Sequence, residues 1–328
     1  MTHILVDTAN TFFRARHVTR GDTSEKIGMA IHIMFASIKK AWGDFDGSHV
    51  VFCLEGRSFR KDLYAPYKRN RKVMAEAMTE KEKEENDVFW ECYDDFVDFI
   101  KTKTNVTVLQ NKRVEADDLI ARWIDKHPDQ KHVIISTDKD LNQLITPHVK
   151  QYNGVNEVTM THEGWFERNG TPVIDKKLKA PKPAPDVEWI IFEKSMRGDP
   201  RDNIFSAYPG VRTKGTKNKI GLQEAYADRK EKGYTWNNLM LSKWVDHEGN
   251  EHRVMEDYER NRALVDLHAQ PEAIIEELDQ TIAQAKAENK SIDQVGIRFM
   301  RFCGKYDLNR ISEQAQLYVE PFNARLTQ

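Results

Sequence analysis

Four short apolar runs, separated by helical patterns, constrain the fold of this 328-residue chain more than any other feature. The runs cover residues 4–6, 50–54, 106–109 and 133–136. Each run is mostly apolar on both faces, as is typical of a parallel sheet covered on two sides. Between the runs, apolar residues recur at helical spacing, for example in 89–100 and 116–124. This alternation predicts an α/β domain with a mostly parallel sheet flanked by helices.

The second half of the chain differs in composition. Residues 170–186 hold four of the 11 prolines and four lysines, which indicates an extended loop or linker. Helical patterns follow between residues 187 and 317, interrupted by a Gly- and Lys-rich segment at 210–219 that we expect to be a mobile loop. We therefore predict an α/β core over residues 1–185 and a helical C-terminal domain over residues 186–328.

Composition excludes several classes of protein. The chain has 50 Lys and Arg residues against 52 Asp and Glu residues, so a uniformly basic nucleic-acid binder is excluded, whereas separate basic and acidic patches are not. Cys53, Cys92 and Cys303 are too far apart in sequence for a disulfide framework or a zinc site. No signal peptide or membrane span is visible. We expect a cytoplasmic protein, in the host cytoplasm if the chain is viral.

Acidic side chains follow each apolar run. They are Asp7, Glu55, the group Glu115, Asp117 and Asp118, the pair Asp138 and Asp140, and, early in the second half, Asp199 and Asp202. Because the carboxyl ends of parallel strands share one edge of a sheet, the acids of all five segments are expected to meet in one cleft there. Two like charges 4 Å apart repel by about 4 kcal/mol at an effective dielectric constant near 20, so such a cluster requires cations.

The chemistry of this cluster indicates which cations would bind. Oxygen ligands without His or Cys select Mg²⁺ or Mn²⁺ over zinc. Two such ions about 3.5–4 Å apart form the site of in-line phosphodiester hydrolysis. A helix cap or a solvated turn explains any one acidic pair better than a metal site does, so the hypothesis rests on all five segments together.

A basic segment begins two residues after Glu55. Residues 57–72 read RSFRKDLYAPYKRNRK and carry seven basic residues against one acid, interleaved with three aromatic residues. Cations neutralise phosphates, and aromatic rings stack on unpaired bases. A solvated loop is the alternative. A second basic run, with Lys214, Lys217 and Lys219, either binds a duplex backbone or is itself a solvated loop.

Taken together, these motifs resemble the 5′-nuclease (flap endonuclease) family, especially bacteriophage 5′→3′ exonucleases and phage ribonuclease H. The matching segments, in the family's order, are LVDTAN, RKDLYAPYKRNR, EADD at 115–118, STDKDLNQL and GDPRDN. They span residues 3 to about 205. The resemblance implies a PIN-like 5′-nuclease core, a helical arch at about 68–100 and a helix–hairpin–helix-like DNA-binding element in the C-terminal domain.

The resemblance also implies roles for individual residues. Asp7, Glu55, Glu115 and Asp117 would hold one divalent ion, and Asp138, Asp140, Asp199 and Asp202 another, with Asp118 nearby. The ions would be two or more Mg²⁺, replaceable by Mn²⁺. Lys68 would contact the scissile phosphate, Arg71 would support it, and Tyr67 would stack on a base. The substrate-binding set would comprise Arg57, Arg60, Lys61, Tyr64, Tyr67, Lys214, Lys217 and Lys219.

Two departures from the family pattern stand out. Glu55 occupies a position where the family usually has Asp, and PGVRTKGTKNKIG replaces a shorter hairpin. Because of the second departure, the sequence leaves open whether the C-terminal hairpin binds a monovalent cation.

The predicted function is a divalent-metal-dependent 5′→3′ nuclease that acts at 5′ ends or flaps of DNA and on RNA–DNA hybrids, in primer removal. The predicted partners are those nucleic acids and single-strand-binding or other replication proteins, with no membrane. One alternative is a non-catalytic nucleic-acid binding protein on the same fold. Another metal-dependent phosphoryl enzyme, such as a phosphatase, is disfavoured because no D-x-D-x-T motif follows the first run.

Overall fold

The chain forms two compact units in a computed structural model that describes residues 1–18, 21–217, 219–288 and 290–327. The first unit comprises Met1–Ser58, Met78–Pro185 and Pro271–Gln328. The second unit comprises Phe59–Ala77 and Asp186–Gln270. The predicted boundary at 185/186 differs from this division in two places, because residues 59–77 belong to the second unit and residues 271–328 to the first.

The strands of the described residues are β1 (Thr2–Asp7), β2 (His49–Leu54), β3 (Thr107–Gln110), β4 (Lys131–Ile135), β5 (Val149–Asn153), β6 (Val158–Thr161), β7 (Gly164–Glu167), β8 (Ile174–Asp175), β9 (Ala180–Pro181), β10 (Lys243–Val245) and β11 (Glu251–Arg253). The helices are α1 (Thr8–Val18), α2 (Thr23–Asp44), α3 (Arg60–Leu63), α4 (Arg69–Glu76), α5 (Glu80–Thr102), α6 (Ala116–Lys126), α7 (Val187–Arg197), α8 (Leu222–Ala227), α9 (Tyr234–Met240), α10 (Val254–Val265), α11 (Glu272–Glu288), α12 (Val295–Lys305), α13 (Asn309–Ser312) and α14 (Ala315–Asn323). A 3₁₀ helix covers Asp140–Leu144.

The central sheet lies in the first unit and has, in the described residues, the order β3-β2-β1-β4-β5-β6-β7. Neighbouring strands from β3 to β5 are parallel, and β6 and β7 extend the sheet antiparallel. The predicted apolar runs correspond to β1–β4, so the prediction of a mostly parallel sheet flanked by helices is confirmed. Every residue of β1 and β2 is buried, as expected for strands that are covered on both faces.

Helices cover both faces of this sheet. On one face, Ile4, Val50 and Phe52 pack in a single core with α2, α5, α12 and α14. Helix α6 packs against β1, β2 and β3 and is joined by α11. The stripes predicted at 89–100 and 116–124 are the buried faces of α5 and α6.

The last helices complete this first unit. Phe299, Phe302 and Phe322 pack among Phe35 and Phe99 beside the sheet. Helical periodicity predicts that such residues form an apolar stripe, but it does not tell which core the stripe covers. The assignment of residues 271–328 to a C-terminal domain therefore differs from the observed packing.

The second unit has its own core. Phe192, Met196, Trp236, Leu239 and Met240 pack together, and α7 lies against α10. The unit also contains the β10–β11 hairpin, which the helical prediction missed. Residues 170–186 were expected to be an extended loop or linker, and the part of this segment in the first unit instead contains the β8–β9 hairpin. Among the described helices, none is both long and apolar enough to span a bilayer.

Candidate functional site

The order of the strands reverses between β1 and β4. The chain proceeds from β1 to β2 and β3 on one side, whereas β4 and β5 lie on the other side of β1. Ligands of such sheets bind outside the carboxyl ends of the strands at the point where the order reverses. Asp7 is the last residue of β1, and Asp138 lies in the loop that follows β4.

Ser136 connects the two acids. Its Oγ donates a hydrogen bond to Asp7 Oδ2 at 2.8 Å and accepts one from the Asp138 amide at 3.0 Å. Asp138 Oδ1 in turn accepts from the amide of Asp140 at 2.9 Å. The carboxylates of Asp7 and Asp138 are thus connected through Ser136 and the backbone amides of Asp138 and Asp140.

Two amide side chains fix this loop further. Asn10, in the first turn of α1, accepts at Oδ1 from the backbone amide of Thr137 at 3.0 Å and from its hydroxyl at 2.9 Å. Gln151 on β5 donates to the carbonyl of Asp138 at 2.6 Å. Sequence reasoning missed Asn10, Ser136 and Gln151 as site residues. The first two lie inside the LVDTAN and STDKD motifs, which was the available signal, whereas nothing marked Gln151.

The start of α6 brings further acids to this edge. The Glu115 amide donates to Asp118 Oδ2 at 3.0 Å, and the Ala116 amide donates to Glu55 Oε2 at 3.3 Å. Carboxylates are favoured at a helix N-terminus by its free amides and dipole. Asp118 is completely buried and supports the helix start, and its expected place beside the ions stays a prediction. Asp117 is only partly buried.

Burial and mutual repulsion perturb these carboxylates. Burial raises the pKa of Asp7 to about 7, with further increases from Glu55 and Asp138, although the hydrogen bond from Ser136 works in the opposite direction. Burial also raises the pKa of Asp117 well above its usual range, and repulsion from Asp7, Asp138 and Glu55 adds to it. Like charges held this closely favour proton or cation binding.

The donor set fits a hard divalent cation. Asp7, Glu55, Asp117 and Asp138 offer oxygen atoms, which Mg²⁺ and Mn²⁺ prefer. Within the described first unit, no three carboxylates have oxygens within 4.8 Å of one another. The assignment of ligands to particular ions therefore stays a prediction.

In the second unit, the predicted basic block lies on the GDPRDN loop. The Lys68 amide donates to the Asp202 carbonyl at 2.8 Å, and Asn70 donates to the Arg201 carbonyl at 3.0 Å. Asn203 donates to the Pro66 carbonyl at 2.7 Å. These bonds hold Lys68 in a left-handed conformation, with φ of 53°.

Both acids of this loop face basic side chains within the unit. Arg71 contacts Asp202 at 2.9 Å, with Lys68 Nζ 4.0 Å from the same carboxylate. Asp199 contacts Lys194 at 2.9 Å. Burial acts to raise the pKa of Asp199, but the hydrogen bond and charge of Lys194 outweigh it, and the pKa lies below its usual range. The predicted metal-binding roles of Asp199 and Asp202 stay predictions.

Two of the predicted substrate-binding residues in the basic block are buried, which corrects their expected roles. Tyr67 is 4% exposed and packs with Ile204, Leu264 and Val265, so its ring has no free face for a base. Arg60 is 2% exposed, and its Nε donates to the Leu264 carbonyl at 2.8 Å. The sequence shows that these residues are basic and aromatic, but it does not show that their buried side chains hold the basic block against the rest of the second unit.

The remaining candidates of the block reach the surface to different degrees. Arg57, in the first unit, and Lys61, in the second, are exposed. Tyr64 is partly buried, with the Arg260 guanidinium 4.9 Å from its ring centroid and the ring of Phe205 nearly perpendicular to its own. Their contacts to substrate stay predictions.

The second basic run lies in the loop between α7 and α8. Lys214, Lys217 and Lys219 are exposed there, while Asn218 lies outside the described residues. Glu224 Oε2 accepts hydrogen bonds from the amides of Gly215 and Gly221, each at 2.9 Å. A Cβ on Gly221 would lie 2.4 Å from the Gly215 amide nitrogen, so this close approach requires glycine.

Comparison with known proteins gives three kinds of match. The family model described as 5′-3′ exonuclease, N-terminal resolvase-like domain, matches residues 2–170. DNA polymerase I of Rhizobium leguminosarum is 26% identical over 241 residues, which is 68% of this chain and 20% of that protein. Flap endonuclease Xni of Aeromonas hydrophila is 30% identical over 157 residues, which is 45% of this chain and 54% of that protein. The chain thus spans little more than half, or less, of these relatives.

Solved structures support the fold. A bacteriophage T5 flap endonuclease in complex with DNA and metal ions matches with a TM-score of 0.59 and 20% identity, over 87% of this chain and 100% of that one. The T5 5′-exonuclease with bound zinc matches with the same TM-score, identity and coverage.

Proposed function

Because the chain belongs to the 5′-3′ exonuclease family through its N-terminal resolvase-like domain, we propose that it is a divalent-metal-dependent 5′→3′ nuclease. It hydrolyses phosphodiester bonds at 5′ ends or flaps of DNA and in RNA–DNA hybrids. The observation that carries the proposal is the convergence of Asp7, Glu55, Asp117 and Asp138 at the carboxyl edge of the sheet, with raised pKa values of Asp7 and Asp117. The flap endonuclease relatives support the choice of substrate.

The acids of the first unit would hold the ions, with Mg²⁺ the preferred ion and Mn²⁺ a substitute. Bound divalent ions at such a site supply activation of water and stabilisation of the leaving oxygen. The chain's own part is to fix the ligands beforehand: Ser136 orients Asp7, and the Asn10 and Gln151 amides hold the loop that carries Asp138. A preorganised set of ligands lowers the cost of reorganisation during the reaction.

Lys68 and Arg71 would bind the phosphate that reacts. Lys68 is largely enclosed, with its side chain 12% exposed, whereas that of Arg71 is 60% exposed. An enclosed cation acts more strongly on the charge that develops in the transition state. Lys68→Ala is therefore expected to slow cleavage more than it weakens binding, and equal losses in both would make Lys68 only a phosphate anchor.

The wider setting belongs to the proposal as well. The DNA polymerase I relative supports a role in replication, with single-strand-binding or other replication proteins as partners. Cys53, Cys92 and Cys303 are buried free thiols, which supports a reduced compartment such as the cytoplasm.

The test is cleavage of a 5′-flap substrate with Mg²⁺, with EDTA as the blank. Asp138→Asn keeps an oxygen to accept the Asp140 amide but removes the charge, and is expected to reduce cleavage by more than about 100-fold without abolishing binding. Asp129→Asn, an exposed acid in the turn before β4, is the matched control and should cut normally. Undiminished cleavage by Asp138→Asn would refute the site. Binding by the wild-type protein without any cleavage would favour the non-catalytic alternative.

A further inference from the structure

The β8–β9 hairpin of the first unit carries a turn that its own side chains define. Asp175 Oδ1 accepts hydrogen bonds from the amides of Lys177 at 2.8 Å and Leu178 at 3.0 Å. The Lys179 amide donates to the Asp175 carbonyl at 2.8 Å, with Lys179 in the left-handed region at φ 52°. Asp175 is thereby engaged with the backbone of the turn.

The base of the hairpin is fixed to the edge of the central sheet. The Val173 amide donates to the Trp165 carbonyl of β7 at 2.8 Å, and the Lys182 amide donates to the Val173 carbonyl at 2.7 Å. The Lys182 ammonium group lies 3.1 Å from the centroid of the Trp165 ring. A cation over an indole face is a favourable contact, so this interaction fixes the base of the hairpin on β7.

The hairpin presents positive charge at its tip. Residues 171–185 contain four lysines against Asp175, which gives a net charge of +3. Lys176, Lys177 and Lys179 are exposed, and Leu178 between them is 65% exposed. In this fully described stretch no aromatic ring lies at the tip, so the hairpin offers point charges but no platform for unpaired bases.

Lys182, at the base of the hairpin, interacts electrostatically with the loop that follows β4. Lys139 stands between Asp138 and Asp140 and is exposed. The pKa of Lys182 is lowered by burial and then by repulsion from Lys139, so the base of the hairpin is near the loop that follows β4.

We propose that the β8–β9 hairpin is a second nucleic-acid contact, at which Lys176, Lys177 and Lys179 bind the phosphate backbone of the double-stranded part of the substrate. Flexible ammonium groups neutralise phosphates without reading sequence, and they do not need the stacking rings that single-strand sites use. The inference rests on the proposed function for the identity of the ligand as a nucleic acid. It adds a surface that lies outside the motifs that carry the family resemblance.

The test compares two triple variants that lose the same charge. Lys176→Ala, Lys177→Ala and Lys179→Ala together remove the tip, while Lys182 is kept because it packs on Trp165. The control combines Lys126→Ala, Lys131→Ala and Lys286→Ala. Those exposed lysines lie at the end of α6, at the start of β4 and near the end of α11. Binding of a duplex and of a single strand of the same sequence is measured in EDTA over a range of salt concentrations.

The hairpin variant should bind the duplex more weakly, and the slope of log K against log salt should become shallower by about 2–3, since each lost phosphate contact removes about 0.9. For the single strand, the slope of the hairpin variant should equal that of the wild-type protein. The control variant should have the wild-type slopes for both the duplex and the single strand. Restoring charge with Lys176→Arg, Lys177→Arg and Lys179→Arg should restore the slope. A duplex slope equal to that of the control overturns the proposal.

The two proposals fail in distinguishable ways. If the wild-type protein does not cleave flaps but the hairpin variant still loses duplex slope, the hairpin contact stands and the nuclease assignment falls. If the wild-type protein cleaves and the hairpin variant binds duplex normally, the reverse holds.

Discussion

The amino and carboxyl edges of the central sheet, where its strands begin and end, both bury ionisable side chains. Burial has opposite effects on the pKa values of the groups at these two edges. Strands β1, β2 and β4 each carry a histidine at their amino end and lead to an acid at their carboxyl end, in the pairs His3 and Asp7, His49 and Glu55, and His132 and Asp138. Burial lowers the pKa of His3 to about 3 and those of His49 and His132 to about 4, whereas it raises that of Asp7 to about 7. Burial penalises charge at both edges: it keeps the three histidines neutral at physiological pH, whereas Asp7 titrates close to that pH.

The amino edge is therefore an ordinary packed core. The Trp123 indole donates to His3 Nδ1 at 3.0 Å, and His49 Nε2 lies 2.8 Å from the hydroxyl of Thr107. His132 Nε2 pairs with the His127 carbonyl at 3.0 Å. Each of these imidazoles is neutral and has a hydrogen-bond partner on at least one ring nitrogen, whereas the carboxylates of the other edge repel one another until a proton or a cation binds. The difference indicates which edge serves stability and which serves function.

The largest expected effect is on cleavage. Asp7→Asn should reduce the rate by on the order of 10³-fold, because metal-dependent stabilisation of the transition state is worth several kcal/mol. His132→Asn at the opposite edge should leave the rate per folded molecule within about threefold. A large loss in the histidine variant would remove the functional contrast between the edges.

The next effect concerns stability in Mg²⁺. At about 100 times its Kd, an ion that binds only the folded state adds about 2.7 kcal/mol to the free energy of unfolding. Denaturant unfolding should show this gain for the wild-type protein and for His132→Asn but not for Asp7→Asn. An equal gain in Asp7→Asn would place ion binding elsewhere.

A third effect is the dependence of metal-free stability on pH. The histidines have folded pKa values below the ordinary 6.5, so the unfolded chain binds more protons and the free energy of unfolding falls as pH falls from about 6.5 towards 4. Asp7 has a folded pKa above its ordinary 3.8, so its contribution to stability falls as pH rises from about 4 to 7.

The groups at the two edges thus change the free energy of unfolding in opposite directions as pH rises, and variants should separate the two contributions. His132→Gln should reduce, by on the order of 1–2 kcal/mol, the free energy of unfolding that is lost as pH falls below about 6.5. Asp7→Asn should reduce the free energy of unfolding that is lost as pH rises towards 7. Urea unfolding over this pH range measures both. Parallel curves for the variants and the wild-type protein would contradict the assignment of these titrations.

The smallest effect tests whether the amino edge is purely structural. Thr107→Val removes the hydroxyl that pairs with His49 and should cost about 1 kcal/mol in the free energy of unfolding. Flap cleavage at a temperature where the variant is folded should be unchanged. A selective loss of cleavage would mean that the two edges are coupled.

Sequence alone predicted the sheet and its acidic edge well, because both follow from local patterns. Asp7 and Asp138 could be placed together once β1 and β4 were taken as parallel neighbours. Gln151 could not, because an amide that holds a loop has no pattern that separates it from a surface amide, and Asn10 was indicated only by its place in the LVDTAN motif. The β8–β9 turn was missed because its segment has the composition of a linker, and sequence alone does not show that Asp175 forms Asx-type hydrogen bonds there.

Predictions of exposure failed where tertiary packing decided the outcome. Arg60 and Tyr67 belong to a segment of high positive charge, which by composition alone belongs on a surface. Each is buried by residues at 204 or 264–265, more than 130 positions away in sequence, and no local pattern reports such contacts.

The return of residues 271–328 to the first unit has a consequence for biosynthesis. During translation, β1 to β7 leave the ribosome long before the helices that carry Phe299 and Phe322. While residues 186–270 are being made, the aromatic side chains at Phe35 and Phe99 lack part of their cover. A nascent chain that stalls in this interval would present an apolar face to other chains, which is the condition under which incomplete proteins recruit chaperones or aggregate.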